Sequence, residues 1–181
     1  MTFYLVLAPG EIMIFAIFAL ILVSNIVFIS NYRIAPPGYC LIRSGAGGRK
    51  VHFDQGVLIL PGVHKFDQVP ISLSHFTLNT VVTFRDGVKK EVEHWYCVRP
   101  NKTQEDVLNV LDHLGIEKIG DSNEMKKLFE EQFSKCIQEA AAEFDSETID
   151  SNMYQFFDKL LDKIGCDLNG LNLEDAALKV K

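Results

Sequence analysis

The hydrophobic pattern changes period twice along the chain. Ile12 to Ile29 is an apolar run interrupted only by Ser24 and Asn25, without Gly, Pro or charge. As a helix it reaches roughly 27 Å, enough to cross a hydrocarbon core. From Tyr39 to Pro100 apolar and polar positions alternate in short bursts, which predicts strands. Tyr39–Ser44 and Lys50–Phe53 flank Gly45-Ala46-Gly47-Gly48, whose glycines allow the positive φ of a hairpin loop. Val57–Leu60 stops at Pro61-Gly62. Ile71 and Leu73 alternate with Ser72 and Ser74, then Phe76 and Leu78 with Thr77 and Asn79, and the phase slip at His75–Phe76 predicts a bulge. Val82 and Phe84 lead into the turn Arg85-Asp86-Gly87, with Val88–Val98 as the returning strand.

After Pro100 the period becomes 3.6. Thr103 caps a helix with Val107, Leu108, Val110, Leu111 and Leu114 on one face, closed by Gly115. Asp121 and Glu124 resemble a capping box opening a long helix. Its apolar face is Met125, Leu128, Phe129, Phe133, Cys136, Ile137, Ala140, Ala141 and Phe144. A third helix carries Met153, Phe156, Phe157, Leu160, Leu161 and Ile164 before Gly165, and Leu168, Leu171 and Leu173 give a last short strand. The fold class read from this order is α+β: a transmembrane helix, an antiparallel sheet, three helices and a short final strand. The divisions are residues 1–30 as anchor, 31–100 as a β-rich membrane-proximal half, 101–175 as a helical half and 176–181 as a tail.

Net charge is −6, unevenly placed. Residues 31–100 carry nine Lys/Arg against five Asp/Glu, residues 101–181 nine against eighteen. A basic membrane-proximal half suits anionic headgroups, and an acidic chain without a Lys/Arg cluster argues against nucleic acid as partner. No Lys or Arg precedes the apolar run, whereas Arg33, Arg43 and Arg49 follow it, so the C-terminal side is expected to be cytoplasmic. A cleaved signal peptide fits poorly, because a basic n-region and a small-x-small site are both missing. The rival topology, a hairpin bent at Pro9-Gly10, has a first arm of only Phe3 to Ala8. A single span at the cell membrane is the expectation.

Cys40, Cys97, Cys136 and Cys166 show no CxxC or Cys/His ligand spacing, so buried reduced thiols are expected rather than zinc. Cys40, close after the anchor, is a conceivable palmitoylation position. Gly45-Ala46-Gly47-Gly48-Arg49-Lys50 lacks the spacing of a phosphate-binding or dinucleotide loop. His52, His64, His75, His94 and His113 never recur at i, i+3 or i+4, and ordinary surface or strand positions explain them. No serine sits in a G-x-S-x-G elbow, and no cysteine stands beside a histidine in a nucleophile motif. In His94-Trp95-Tyr96-Cys97, alternation separates His94 and Tyr96 from Trp95 and Cys97, which reads as core packing. Glu91 and Glu93 share a face, but Lys89 and Lys90 beside them suggest a solvated edge. Asn101-Lys102-Thr103 is a glycosylation sequon relevant only on a lumenal side. No catalytic, cofactor-binding or metal residue is nominated.

The segments RIAPPGYCLIRSGAGGRKVHFDQGVLILPGVHKFDQVPISLSHFTLNT at 33–80, VVTFRDGVKKEVEHWYCV at 81–98, and CDLNGLNLEDA at 166–176 resemble, in this order, the SPFH or Band 7 group of stomatins, prohibitins and flotillins. PPGY, the Gly-rich hairpin and GVLILPGVHKFDQVPISL are most similar to flotillins. The resemblance implies a non-enzymatic membrane protein without shared catalytic residues. Flotillins continue into a long Ala/Glu-rich coiled coil; Ala176 to Lys181 is too short for one heptad, so assembly by that route is not expected. Two functions follow from the resemblance. One is a scaffold that self-associates as a homo-oligomer to organise membrane patches. The other is a regulator or adaptor of a membrane-protein partner such as a protease, channel or transporter. A tethered enzyme is the third and least favoured.

Overall fold

The computed structural model describes residues 9–165 and 167–181, with the backbone alone at Asp167. Cys166 and the proposed first arm Phe3 to Ala8 lie outside the described residues. The chain divides into two compact units. One comprises the described residues up to Ala35 with Leu41–Asp67, the other Pro36–Cys40 with Gln68–Lys181.

In the first unit, helix α1 (Pro9–Asn31) is apolar on every side and buries none of its residues. Pro9 suits a first helical position, where a missing N–H costs nothing. Asn25 Nδ2 donates to Ile21 O at 2.8 Å and Asn31 Nδ2 to Val27 O at 2.8 Å, so these amide donors are satisfied within the helix. That is the condition for polar groups in or near hydrocarbon. At its end Phe28 stacks on Tyr32 with centroids 5.6 Å apart, and the chain runs directly into strand β1 (Tyr32–Arg33).

Strand β1 pairs with β4 (Val57–Leu58), Tyr32 opposite Leu58. Strands β2 (Tyr39–Gly45) and β3 (Lys50–His52) form the expected glycine hairpin, with Arg43 opposite Lys50 and Leu41 opposite His52. Gly45 has φ +119° and a Cβ there would lie 2.3 Å from Val63 O, so no other residue fits. Leu41, Val57 and Ile59 make a small core with Ala35. Strand β5 (His64–Pro70) completes the order β3-β2-β5 and was not expected. Lys65 to Gln68 are all exposed, so the alternation that reveals a half-buried strand is missing.

In the second unit, β6 (Ser74–Thr83) and β7 (Lys89–Pro100) form a long hairpin, and with β8 (Asp167–Leu168) and β9 (Leu171–Val180) the sheet order is β6-β7-β9-β8. Phe76, Leu78 and Val82 of β6 and Val92, His94 and Tyr96 of β7 are buried. Helix α3 (Ser122–Ala141) packs on β6, burying Met125, Phe129, Phe133, Ile137, Ala140 and Ala141. Phe133 lies 4.5 Å from Tyr96 and 4.9 Å from Phe129 between ring centroids. Helix α2 (Gln104–Leu114) begins as read, Asp106 N donating to Thr103 Oγ1 at 3.1 Å. Asp121 caps α3 by accepting from Asn123 N at 2.8 Å, but Glu124 turns to Lys127 rather than closing a capping box. Helix α4 (Met153–Ile164) buries Phe156, Leu160 and Ile164.

Several expectations are corrected. The hairpin β6–β7 is in continuous register from Ser74 to Thr83, so there is no bulge at His75–Phe76; the slip of phase marks where the strand begins. The irregularity lies between Cys97 and Val98 on the β9 side. Lys89 and Lys90 pair with Thr83 and Val82 of β6 alone, because the ladder with β9 begins at Val92, so this end of β7 keeps an open side, whereas Glu93 is paired on both sides. Leu128, placed on the apolar face, is 44 % exposed. After the two-residue β8 (Asp167–Leu168), strand β9 runs from Leu171 to Val180. Residues 176–180 are therefore strand paired to β7, not a tail, and the final strand is long rather than short.

Candidate functional site

Among the described residues, groups with catalytic potential come together at His94 and at Cys97, and neither is poised to react. His94 Nδ1 lies 3.0 Å from the Tyr96 hydroxyl, and His94 Nε2 lies 3.0 Å from Thr80 Oγ1, itself 3.1 Å from Ser134 Oγ. Strands β6 and β7 present His94, Tyr96 and Thr80 toward α3, which supplies Ser134. The imidazole is fully buried, and burial pushes it down to about 4 and the Tyr96 phenol up. Among the described residues no carboxylate orients the ring, so the cluster satisfies buried polar groups without the third member of a nucleophilic triad.

The sequence treated His94 as an ordinary strand position. The available signal was its shared parity with Val92 and Tyr96, while the larger Trp95 faces outward and is exposed.

On the opposite face, Cys97 Sγ lies 3.9 Å from His75 Nε2, and Asp175 is in register across β9. Burial and the neighbouring Asp175 and Glu174 push this thiol up, so it stays protonated rather than becoming a thiolate. Cys136 is half-buried and its thiol is raised by burial as well. Cys40 is buried, its thiol pushed up to about 11 by loss of hydration, which overturns the suggestion of an acylation site. Among the described residues, no group of three or more His, Cys, Asp or Glu is placed to hold a metal. Glu93 accepts from Lys181 Nζ at 3.2 Å instead of serving Glu91 as an acid–base partner.

The tip of the β6–β7 hairpin is instead a clasp. Asp86 Oδ2 accepts from Ser146 N at 2.8 Å and from Ser146 Oγ, Arg85 N donates to Phe144 O at 2.9 Å, and Arg85 pairs with Asp145. These bonds hold the Arg85-Asp86-Gly87 turn to the chain leaving α3.

The remaining candidate is a surface. Lys181 N donates to Glu91 O at 2.9 Å, which sets the phase of the β7–β9 ladder. Ala176, Leu178 and Val180 therefore direct N–H and C=O away from β7. Ala176 N is capped by its neighbour Asp175 Oδ1 at 2.9 Å. Strand β8 pairs only at Leu171 and Asn172, so among the described residues nothing pairs with the outer side of Leu178 and Val180. Beside this edge α4 presents Met153, Tyr154 and Phe157, which with Ala176 and Leu178 line a shallow apolar groove. Tyr154 is 81 % exposed. At the other end of the sheet, Gln138 closes β6 by accepting from Thr83 N at 3.1 Å and donating to Thr83 O at 3.0 Å.

A family profile described as SPFH domain / Band 7 family matches residues 33–181. The chain is 24 % identical over 166 residues to the flotillin family inner membrane protein YqiK of Escherichia coli strain K12, covering 88 % of this chain and 30 % of the relative. It is 26 % identical over 180 residues to the flotillin family inner membrane protein sll1021 of Synechocystis, covering 92 % of this chain and 26 % of the relative. The chain thus spans less than a third of the length of these two relatives.

Proposed function

Because the chain belongs to the SPFH domain / Band 7 family, we propose that it is a non-enzymatic, single-pass membrane scaffold. Copies anchored by α1 associate side by side through the β9 edge and α4, and organise the patch of membrane that holds them. The region after α1 faces the cytoplasm, in keeping with Arg33, Arg43 and Arg49 following the helix.

The observation that carries this reading is the outer side of Leu178 and Val180 in β9, unpaired among the described residues, beside exposed Tyr154. A strand edge with an adjoining apolar groove is a template for another chain, and monomeric proteins normally cover or charge such edges. Confinement to a bilayer raises the effective concentration, so contacts too weak for solution suffice there. A contact between unlike surfaces repeats around a ring or along an arc.

The test is the mass of the full-length protein purified in mild detergent. Wild type should elute as multiples of the chain, and Tyr154→Arg, on an exposed site, should shift it toward monomer. A stoichiometric second protein with a single copy of this chain would instead establish the adaptor reading.

A further inference from the structure

One face of the β2–β3 hairpin gathers polar nitrogens, two of which have no hydrogen-bond partner among the described residues. Strand pairing places Arg43 opposite Lys50 and Leu41 opposite His52, so Arg43, Lys50 and His52 share the face of Leu41. Arg43 Nε and His52 Nε2 are closed off from solvent without a hydrogen-bond partner. The guanidinium turns back beneath the glycine loop: a Cβ on Gly47 would lie 4.0 Å from Arg43 Nη2. His52 is pushed below its ordinary value by burial and then by Arg43 and Lys50, as expected if all three sit in one positive field. Between Tyr39 and Leu60 the sequence has one carboxylate, Asp54. A buried polar nitrogen left unpaired is costly, and two cations, Arg43 and Lys50, beside a neutral imidazole that can donate from one nitrogen suit an anion with several acceptor oxygens, such as a phosphate.

The neighbouring turn indicates where that phosphate comes from. Ile59 N donates to Asn31 O at 2.9 Å, so the chain returns to the end of α1 immediately before Leu60-Pro61-Gly62-Val63. The turn satisfies its own backbone: Val63 N and His64 N donate to Leu60 O at 3.1 and 2.9 Å, and Leu60 N donates to His64 Nδ1 at 3.3 Å. Its apolar side chains point outward, Leu60 exposed and Val63 48 % exposed, with Ile34 63 % exposed. A turn with paired backbone and bare apolar tips suits the headgroup region of a bilayer. Ala46 N donates to Val63 O at 3.4 Å, which fastens this turn to the glycine loop above Arg43.

We propose that Arg43, Lys50 and His52 bind the phosphate of an anionic phospholipid, with the Leu60–Val63 turn seated in the bilayer interface beside α1. The inference rests on the reading of the chain as a membrane-anchored SPFH protein and adds a lipid to it. Free phosphate would satisfy the cations but leaves the apolar turn without a role. An acidic surface of a second copy would do the same.

The experiment uses the full chain in nanodiscs of phosphatidylcholine, with or without roughly one part in five phosphatidylglycerol. Native mass spectrometry reads retained lipid, and hydrogen exchange reads protection of residues 43–63. Wild type should retain phosphatidylglycerol over phosphatidylcholine. Lys50→Gln, at an exposed position that leaves the fold intact, should lower that retention about fivefold, and Arg43→Gln with it by more than tenfold. Leu60→Ser with Val63→Ser should lose protection of the turn in either disc. Equal retention of phosphatidylglycerol by wild type and the double glutamine variant would overturn the proposal. So would displacement of the lipid by millimolar inorganic phosphate, or a loss of oligomers in Lys50→Gln with lipid retention unchanged. A monomer that still retains phosphatidylglycerol through Arg43 and Lys50 would uphold this site while removing the scaffold.

Discussion

At position 94 a strand places an imidazole where its neighbours Val92 and Tyr96 bury apolar bulk. Its two nitrogens are answered by Thr80 and Tyr96, so the residue is tolerated in the core only while neutral. The folded ring is held to about 4, against an ordinary value of about 6.5. Between these values the unfolded chain binds a proton that the folded chain refuses. Stability from this group is therefore complete above about pH 6.5 and is lost as the pH falls toward 4, by at most about 3 kcal/mol. Urea unfolding of the full-length protein in mild detergent at a series of pH values checks this. The difference between wild type and His94→Gln should grow smaller as the pH falls, and parallel curves would contradict it. Thr80→Val should cost about 1–3 kcal/mol by leaving His94 Nε2 without its partner. Sequence reading placed His94 on the face opposite Trp95 but could not tell which face is the core. Tryptophan is the bulkier candidate, and burial was decided by where α3 packs.

The elements with strong periodicity were legible. The apolar stripe Met125, Phe129, Phe133, Ile137 and Ala140 is buried as read, because α3 has a sheet to cover. Phe133→Ala should therefore cost about 3–5 kcal/mol, and Glu130→Ala, on the exposed side, less than about 0.5 kcal/mol. Chemical denaturation of both variants decides it, and equal costs would mean that the helical phase is wrong. Gly45→Ala should destabilise by at least about 1–3 kcal/mol, since its φ of +119° and the nearby Val63 carbonyl both exclude a side chain. Strand β5 was illegible because Lys65 to Gln68 are exposed in succession, so no alternation reaches the sequence. The second half of β9 was illegible for another reason. Ala176-Ala177-Leu178-Lys179 has helical composition, and only pairing with Val92 to Tyr96 makes it a strand. The open edge beside Tyr154 followed from that pairing and could not be read earlier.

For the whole molecule, α1 and the basic residues after it give the simplest topology. Protease added to intact cells should leave the region after α1 uncut, and glycosylation at Asn101 would contradict that orientation. Charge divides along the chain, nine basic against five acidic residues in 31–100 and nine against eighteen in 101–181. Contacts between unlike surfaces of neighbouring copies should then weaken as salt shortens the Debye length from about 10 Å at 0.1 M to about 3 Å at 1 M. The central claim, that anchored copies associate in the bilayer, is tested most directly by chemical cross-linking of the full-length protein in native membranes at low salt. The account predicts a ladder of homo-oligomers that fades at high salt and in Tyr154→Arg; monomer alone at low salt would contradict it.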